Sequence, residues 1–224
     1  MDTLGEPQKV TRARMKCCLR ACLDQWANLP GHKSSDTLEI SFVLKNYDTN
    51  TYPWIHESLR LKYTPEIKVN VCILGGEQLC KEAKDQGLPF ISSRGLRSIM
   101  KKKRLIGKIA DKYDVFLASP AIVQRIPQSL DAALSRVGKR PFLVMPGESL
   151  LDKISETKVV VRFRSKNFPY LSFPIGNMDM ELQKLSDNLE VAIDHVLSLL
   201  PLQWDNVTSI HIAPKNGTWV PVYS

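Results

Sequence analysis

Two short segments carry basic residues at every second position, a spacing that suits phosphate binding better than bond-breaking chemistry. Leu59-Arg60-Leu61-Lys62-Tyr63 and Val161-Arg162-Phe163-Arg164-Ser165-Lys166 both alternate in this way. Alternate side chains of a β-strand share a face. Arg60 and Lys62 would therefore project from one face of their strand, and Arg162, Arg164 and Lys166 from one face of theirs. Cations arrayed along a face neutralise the phosphates of a nucleic-acid backbone and release its counterions.

The wider charge distribution points the same way. The chain of 224 residues has a formal net charge of +8. Residues 68–155 hold 16 Lys and Arg against 8 Asp and Glu, and the remaining residues hold 15 against 15, so the whole surplus lies in the middle. Much of it is in Arg94, Arg97, Lys101, Lys102, Lys103, Arg104, Lys108 and Lys112. The plain account of such a run is a solvated helix face; the other is a patch facing the phosphates of a nucleic acid. Asp179, Glu181, Asp187, Glu190 and Asp194 gather on the C-terminal helical stretch. A neutral flank can thus be basic on one side and acidic on the other.

Catalytic groupings are missing from the sequence. His32, His56, His195 and His211 are scattered, and Cys17, Cys18, Cys22, Cys72 and Cys80 show no paired C-x-x-C spacing. Small buried thiols in a reducing compartment are the expectation for these cysteines. Gly75-Gly76 follows an apolar run, but the G-x-G-x-x-G spacing is missing, and Glu77 would set a negative charge against a pyrophosphate. Asp111 and Asp114 flank Lys112, where pairing or solvation is the simpler account. The expectation is a binding protein with no enzymatic activity, no cofactor, no metal and no small-molecule substrate. No apolar stretch approaches the ~18 residues of a membrane span. Arg12, Arg14, Lys16 and Arg20 interrupt any signal-peptide core, so the protein is expected to stay inside the cell, without a membrane partner.

The elements that must position these residues follow from periodicity. Residues 8–27 read as a helix ended by Pro30-Gly31. Over 36–45, Leu38, Ile40, Phe42 and Leu44 alternate with Thr37, Glu39 and Ser41, which predicts a half-buried strand. A second strand is expected at 57–63. At Val69 the rhythm changes to a near-continuous apolar run, Val69-Asn70-Val71-Cys72-Ile73-Leu74, as in a strand covered on both faces. A helix at 77–86, a strand at 89–92, basic helices over 94–112, a strand at 114–118, helices through the 120s and 130s, and Phe142-Leu143-Val144-Met145 then imply parallel βαβ units. The two-residue period returns at 158–166, followed by a helix at 178–200 and a last strand at about 207–212. The expected class is α/β. A split α+β domain of residues 1–67 and 156–224, an antiparallel sheet with helices, receives an inserted Rossmann-like parallel α/β domain of residues 68–155.

Several segments also carry a family resemblance. They are Leu44-Lys45-Asn46-Tyr47-Asp48; Leu59-Arg60-Leu61-Lys62 with Thr64-Pro65; Val71-Cys72-Ile73-Leu74-Gly75 through Glu82-Ala83-Lys84; and Tyr113-Asp114-Val115-Phe116-Leu117-Ala118-Ser119-Pro120 with Gly138-Lys139-Arg140-Pro141. Leu197-Ser198-Leu199-Leu200 and Trp204-Asp205-Asn206-Val207 complete the series. In these residues, from about residue 36 to the C-terminus, the chain resembles the universal large-subunit ribosomal protein L-one family, called L-ten-a in its eukaryotic form.

The resemblance implies the same split architecture and a structural constituent of the large ribosomal subunit. Such a protein binds large-subunit ribosomal RNA at the mobile stalk beside the tRNA exit site and assists release of deacylated tRNA. Other large-subunit proteins would be neighbours. It would sit on cytoplasmic ribosomes, with nucleolar passage during assembly if the source is eukaryotic. The implied RNA contacts fall on Lys33, Thr37 and Glu39, where Ser34 replaces the family's aromatic, and on Phe163, Arg164 and Lys166, beside Arg162 from the alternation. They fall also on Lys215 and Gly217 of Pro214-Lys215-Asn216-Gly217, where the family has Ser-Thr-Met-Gly. Asp131-Ala132-Ala133 replaces a Gly-Pro-Gly and should be more helical. The alternative readings are a nucleolar ribosome-assembly factor on the same fold and a nucleotide-binding enzyme using the insert. The absent phosphate loop argues against the enzyme.

Overall fold

The computed structural model describes residues 10–28, 36–47, 55–65, 69–100, 103–124, 126, 128–136, 139–164, 169–215 and 217–224. The chain begins with α1 (Arg12–Ala27), β1 (Thr37–Leu44) and β2 (His56–Arg60). It continues through β3 (Val71–Gly75), α2 (Glu77–Asp85), β4 (Phe90–Ser92), α3 (Ser93–Met100), α4 (Lys103–Lys112) and β5 (Val115–Ala118). Then come α5 (Pro120–Val123), α6 (Gln128–Arg136), β6 (Phe142–Leu143) and α7 (Leu150–Lys158). It ends with β7 (Val160–Arg164), β8 (Tyr170–Asn177), α8 (Leu182–Leu199), a short 3-10 turn (Gln203–Asn206), β9 (Val207–Pro214) and β10 (Val220–Tyr223). Two compact units result, one of Met1–Ile67 with Val159–Ser224 and one of Lys68–Lys158.

In the first unit an antiparallel sheet of order β10-β9-β1-β8 puts β1 at its centre. Leu38, Ile40, Phe42 and Leu44 of β1 are buried, together with Leu171, Phe173 and Ile175 of β8 and Ile210 and Ile212 of β9. Against that face pack α1, through Met15, Leu19 and Cys22, and α8, through Leu185, Leu189, Ala192, Ile193 and Val196. The i, i+4, i+7 spacing of the α1 set gives a narrow apolar stripe. Thr11 caps α1 by accepting from the Arg14 N–H, which moves its start from the expected residue 8 to Arg12. Strand β8 was unread in the sequence because Pro169 and Pro174 look like turn residues. It tolerates Pro174 because it is an edge strand of this sheet.

Buried asparagines join the loops to this core. Asn188, fully buried on α8, accepts from the Tyr63 N–H at 3.0 Å and donates to the carbonyls of Tyr63 and Ile175 at 3.0 and 2.8 Å. Asn206 accepts from the Leu202 N–H at 2.7 Å and donates to the carbonyls of Lys45 and Asn46. Each replaces hydration that the buried backbone groups lose.

The second unit has a wholly parallel sheet of order β4-β3-β5-β6. Alternate residues of β3 feed two separate cores. Cys72 and Leu74 join Leu96, Ile106, Phe116 and Leu134, while Val71 and Ile73 join Ala83, Leu117, Val144, Leu150 and Ile154. That two-sided burial is why the segment reads as an unbroken apolar run. The second core includes Leu150 and Ile154 of α7, a helix without a counterpart in the sequence reading, and the unit runs to Lys158. Lys139 closes the other side. Its ammonium donates to the carbonyls of Ala110 and Tyr113 at the end of α4, at 3.0 and 2.9 Å, and lies 3.6 Å from the Asp114 carboxylate.

Two outcomes follow for stability. A Cβ at Gly176 would collide with Leu185 Cδ2 and lie 3.1 Å from Met180 Sδ. Gly176→Ala should therefore cost about 1–3 kcal/mol in a urea melt, as overpacking does. Arg12 donates to both oxygens of Glu190 at 2.8 and 2.7 Å, and this bond, against partial desolvation, holds the Glu190 carboxyl below its ordinary range. A carboxylate with a depressed folded pKa contributes stability above its unfolded value and loses it as pH falls through the folded one. The stability gap between wild type and Arg12→Ala should accordingly narrow as pH falls through the carboxylate range, as read by thermal melts.

Candidate nucleic-acid interface

The period that buries Leu38, Ile40 and Phe42 sends Thr37, Glu39 and Ser41 to the other face of the sheet. Thr37 stands opposite Asn177 of β8, and Glu39 opposite Pro174 of β8 and Ala213 of β9. A β-bulge lies between Leu38 and Glu39. Beyond β9 the Lys215 N–H donates to the Thr37 carbonyl at 2.9 Å, and the Gly217 N–H donates to the Pro214 carbonyl at 2.8 Å. Thr37, Glu39, Lys215 and Gly217 are thus brought together at one end of the sheet. Lys215 is exposed, and Thr37 and Glu39 are half-buried. A Cβ on Gly217 would meet the Pro214 ring, at 2.9 Å from Cδ, and its carbonyl at 3.2 Å, so this turn closes only with glycine.

The arginines lie on a separate two-stranded ribbon, β2 with β7. Arg162 pairs with Ser58, Arg164 with His56 and Val160 with Arg60. Directly opposed residues share a face, so the register gathers Arg60, Arg162 and Arg164 on one side of the ribbon. The other side buries Leu59, Val161 and Phe163. Phe163 stacks on Phe173 of β8 at 4.4 Å between ring centroids, and presents an edge contact to His195 of α8 at 6.1 Å. The arginines therefore face away from the core and from α8.

Lys62 departs from the expected alignment with Arg60. Strand β2 ends at Arg60, and the charge of Lys62 is felt on α8. There it helps keep Glu190 ionised, after the larger effect of Arg12, and opposes the rise that desolvation causes in Asp194. The acidic row of α8 is partly used internally, since Glu190 is the partner of Arg12. Lys33 and Lys166 lie outside the described residues.

Some contributors had no sequence signal of their own. The Trp26 indole N–H donates to Asp36 Oδ2 at 3.2 Å, and the Asp36 carbonyl accepts from the Met178 N–H at 3.0 Å. The end of α1 and the turn after β8 thus hold the residue immediately before Thr37. Ser172 Oγ bonds Ser41 Oγ at 2.8 Å across the same outer face. Elsewhere, burial pushes the Cys22 and Cys72 thiols up to about 12, which keeps them protonated and poor nucleophiles. Among the described residues no group of three or more His, Cys, Asp and Glu side chains could hold a metal ion. No described helix is long and apolar enough to cross a membrane.

Comparison with known proteins gives one consistent result. The sequence profile of the "Ribosomal protein L1p/L10e family" matches residues 25–218. The large ribosomal subunit protein uL1 of Spodoptera frugiperda is 36% identical over 209 residues, covering 93% of this chain and 96% of that protein. The uL1 protein of Drosophila melanogaster is 36% identical over 182 residues, covering 81% and 84%. That of Oryza sativa subsp. japonica is 36% identical over 193 residues, covering 86% and 89%.

Trp26→Phe removes the indole donor that holds Asp36 and should lower stability by about 1–3 kcal/mol in a urea titration. Asp36→Asn keeps an oxygen able to accept that N–H and should cost less.

Proposed function

Because the chain belongs to the Ribosomal protein L1p/L10e family, it is a ribosomal protein of the large subunit, and we propose that it binds large-subunit ribosomal RNA through the non-core face of its split unit. The family is a structural, non-enzymatic class found on the cytoplasmic ribosome, with ribosomal RNA and ribosomal proteins as partners. In this reading the split unit is the RNA-binding domain and the second unit is the insert.

The observation that carries the reading is the convergence of Thr37, Glu39, Lys215 and Gly217 at one sheet end, on the side away from α1 and α8. Lys215 and the arginines of β7 supply phosphate contacts, with Lys33 and Lys166 added from the sequence. Gly217 lets backbone approach RNA closely. Glu39 has no use for phosphate; it can accept only from base or ribose hydroxyl donors, and therefore reads rather than merely attracts. The family resemblance supports a further role, assisting release of deacylated tRNA from the mobile stalk, and nucleolar passage during assembly in a eukaryotic source.

Reversing Arg162 and Arg164 to Glu should weaken binding to the stalk fragment of large-subunit ribosomal RNA. The slope of log affinity against log salt should become shallower by roughly 0.7 to 0.9 for each phosphate that the variant no longer neutralises. A folded double variant with wild-type affinity and slope would remove the ribbon from the interface.

A further inference from the structure

The outer face of the four-stranded sheet also carries an exposed aromatic side chain that neither the charge pattern nor the family motifs single out. At the start of β8, Tyr170 stands opposite Val43 of β1, which stands opposite Ser209 of β9. One step along the same face, Ser172 stands opposite Ser41, and Ser41 opposite His211. The intervening residues Leu171 and Phe173 are buried on the helix side, so alternation commits Tyr170 and Ser172 to the outer face. Val43, Ser172 and Ser209 are too short to cover a phenol ring, and Tyr170 is left 56% exposed.

Strand propensity explains why a tyrosine is tolerated here. It does not explain why the ring is left exposed on a face that beside it holds only the short side chains of Val43 and Ser172. Phe163 stacks on Phe173, so β7 runs next to β8, and both arginines point to the side away from the core, as Tyr170 does. An exposed ring on β8, with cations on the outer side of the neighbouring strand β7 and helices behind the sheet, is an arrangement on which unpaired bases stack while their phosphates are neutralised.

We propose that Tyr170 is a stacking platform for an unpaired base of the bound RNA, with Arg162 and Arg164 holding the flanking phosphates. This rests on the RNA-binding reading above and adds a contact to the base itself. Ser172 and the Ser209–His211 pair, with Oγ and Nδ1 3.5 Å apart, lie on the same face, within reach of that base's polar edge.

The test uses the full chain and two RNAs: the stalk fragment of large-subunit ribosomal RNA, and the same fragment with its unpaired bases replaced by abasic sites. Tyr170→Ala should bind the first RNA about five-fold or more weakly than wild type, and Tyr170→Phe should bind it like wild type. On the abasic RNA, wild type and Tyr170→Ala should bind alike. Thermal melts of both variants establish that they are folded, as the exposed position leads one to expect. Equal affinity of wild type and Tyr170→Ala for the base-bearing fragment would overturn the stacking contact while leaving the RNA-binding reading intact. An equal weakening on both RNAs would overturn it too, since the ring would then act on the fold or the backbone. Failure of wild type to bind either RNA would overturn both readings.

Discussion

Burial of Leu38, Ile40, Phe42 and Leu44 along β1 is the constraint on which the rest of the split unit depends. β1 is bonded on both sides, to β8 and to β9, so its register sets the register of the sheet. A slip of one residue would turn every buried side chain outward and draw Glu39 into an apolar core. Burying each of those side chains contributes about 1.5–3 kcal/mol, which makes that slip prohibitive. Thr37, Glu39, Ser41 and Val43 are therefore held on the outer face by residues that touch nothing there. The same logic governs the ribbon, where Leu59, Val161 and Phe163 fix the direction of three arginines.

The polar connections refine this frame rather than create it. Asn188 ties the chain beyond β2 to β8, and Asn206 ties the chain beyond β1 to the turn before β9. Trp26 and Met178 hold Asp36 at the start of β1. Each such bond is buried or half-buried, where a missing partner costs more than the bond itself contributes. In the insert, Lys139 does the equivalent work at the end of α4, which gives a structural reason for Tyr113-Asp114 and Lys139 to occur together.

Much of this was legible in the sequence where periodicity is clean. The alternation of β1, the apolar run of β3 and the helical spacing of α8 each identify an element and its buried face. The misses have particular causes. β8 alternates as plainly as β1, but Pro169 just before it and Pro174 within it mimic a turn, and only the sheet topology reveals that it is an edge. β10 is short and contains Pro221. α7 has a start signal in Ser149, whose Oγ accepts from the Asp152 N–H, but the helix is short and its role emerges only from the core it completes. At the interface, spacing gave the shared face of Arg162 and Arg164 but could not give the pairing that adds Arg60 or the bend that turns Lys62 toward α8. Tyr170 was unreadable as a surface residue because its exposure depends on short neighbours contributed by other strands.

Family membership makes the chain a large-subunit ribosomal protein, and the proposal built on it is RNA recognition by a face whose shape is set from the opposite side of its sheet. Equilibrium binding of the full chain to the stalk fragment of large-subunit ribosomal RNA, across a salt series and beside an unrelated duplex of equal length, tests that account most directly. It predicts tight binding that prefers the stalk fragment at every salt concentration. Equal and weak binding to both RNAs would contradict it, and the assembly-factor reading would then take its place.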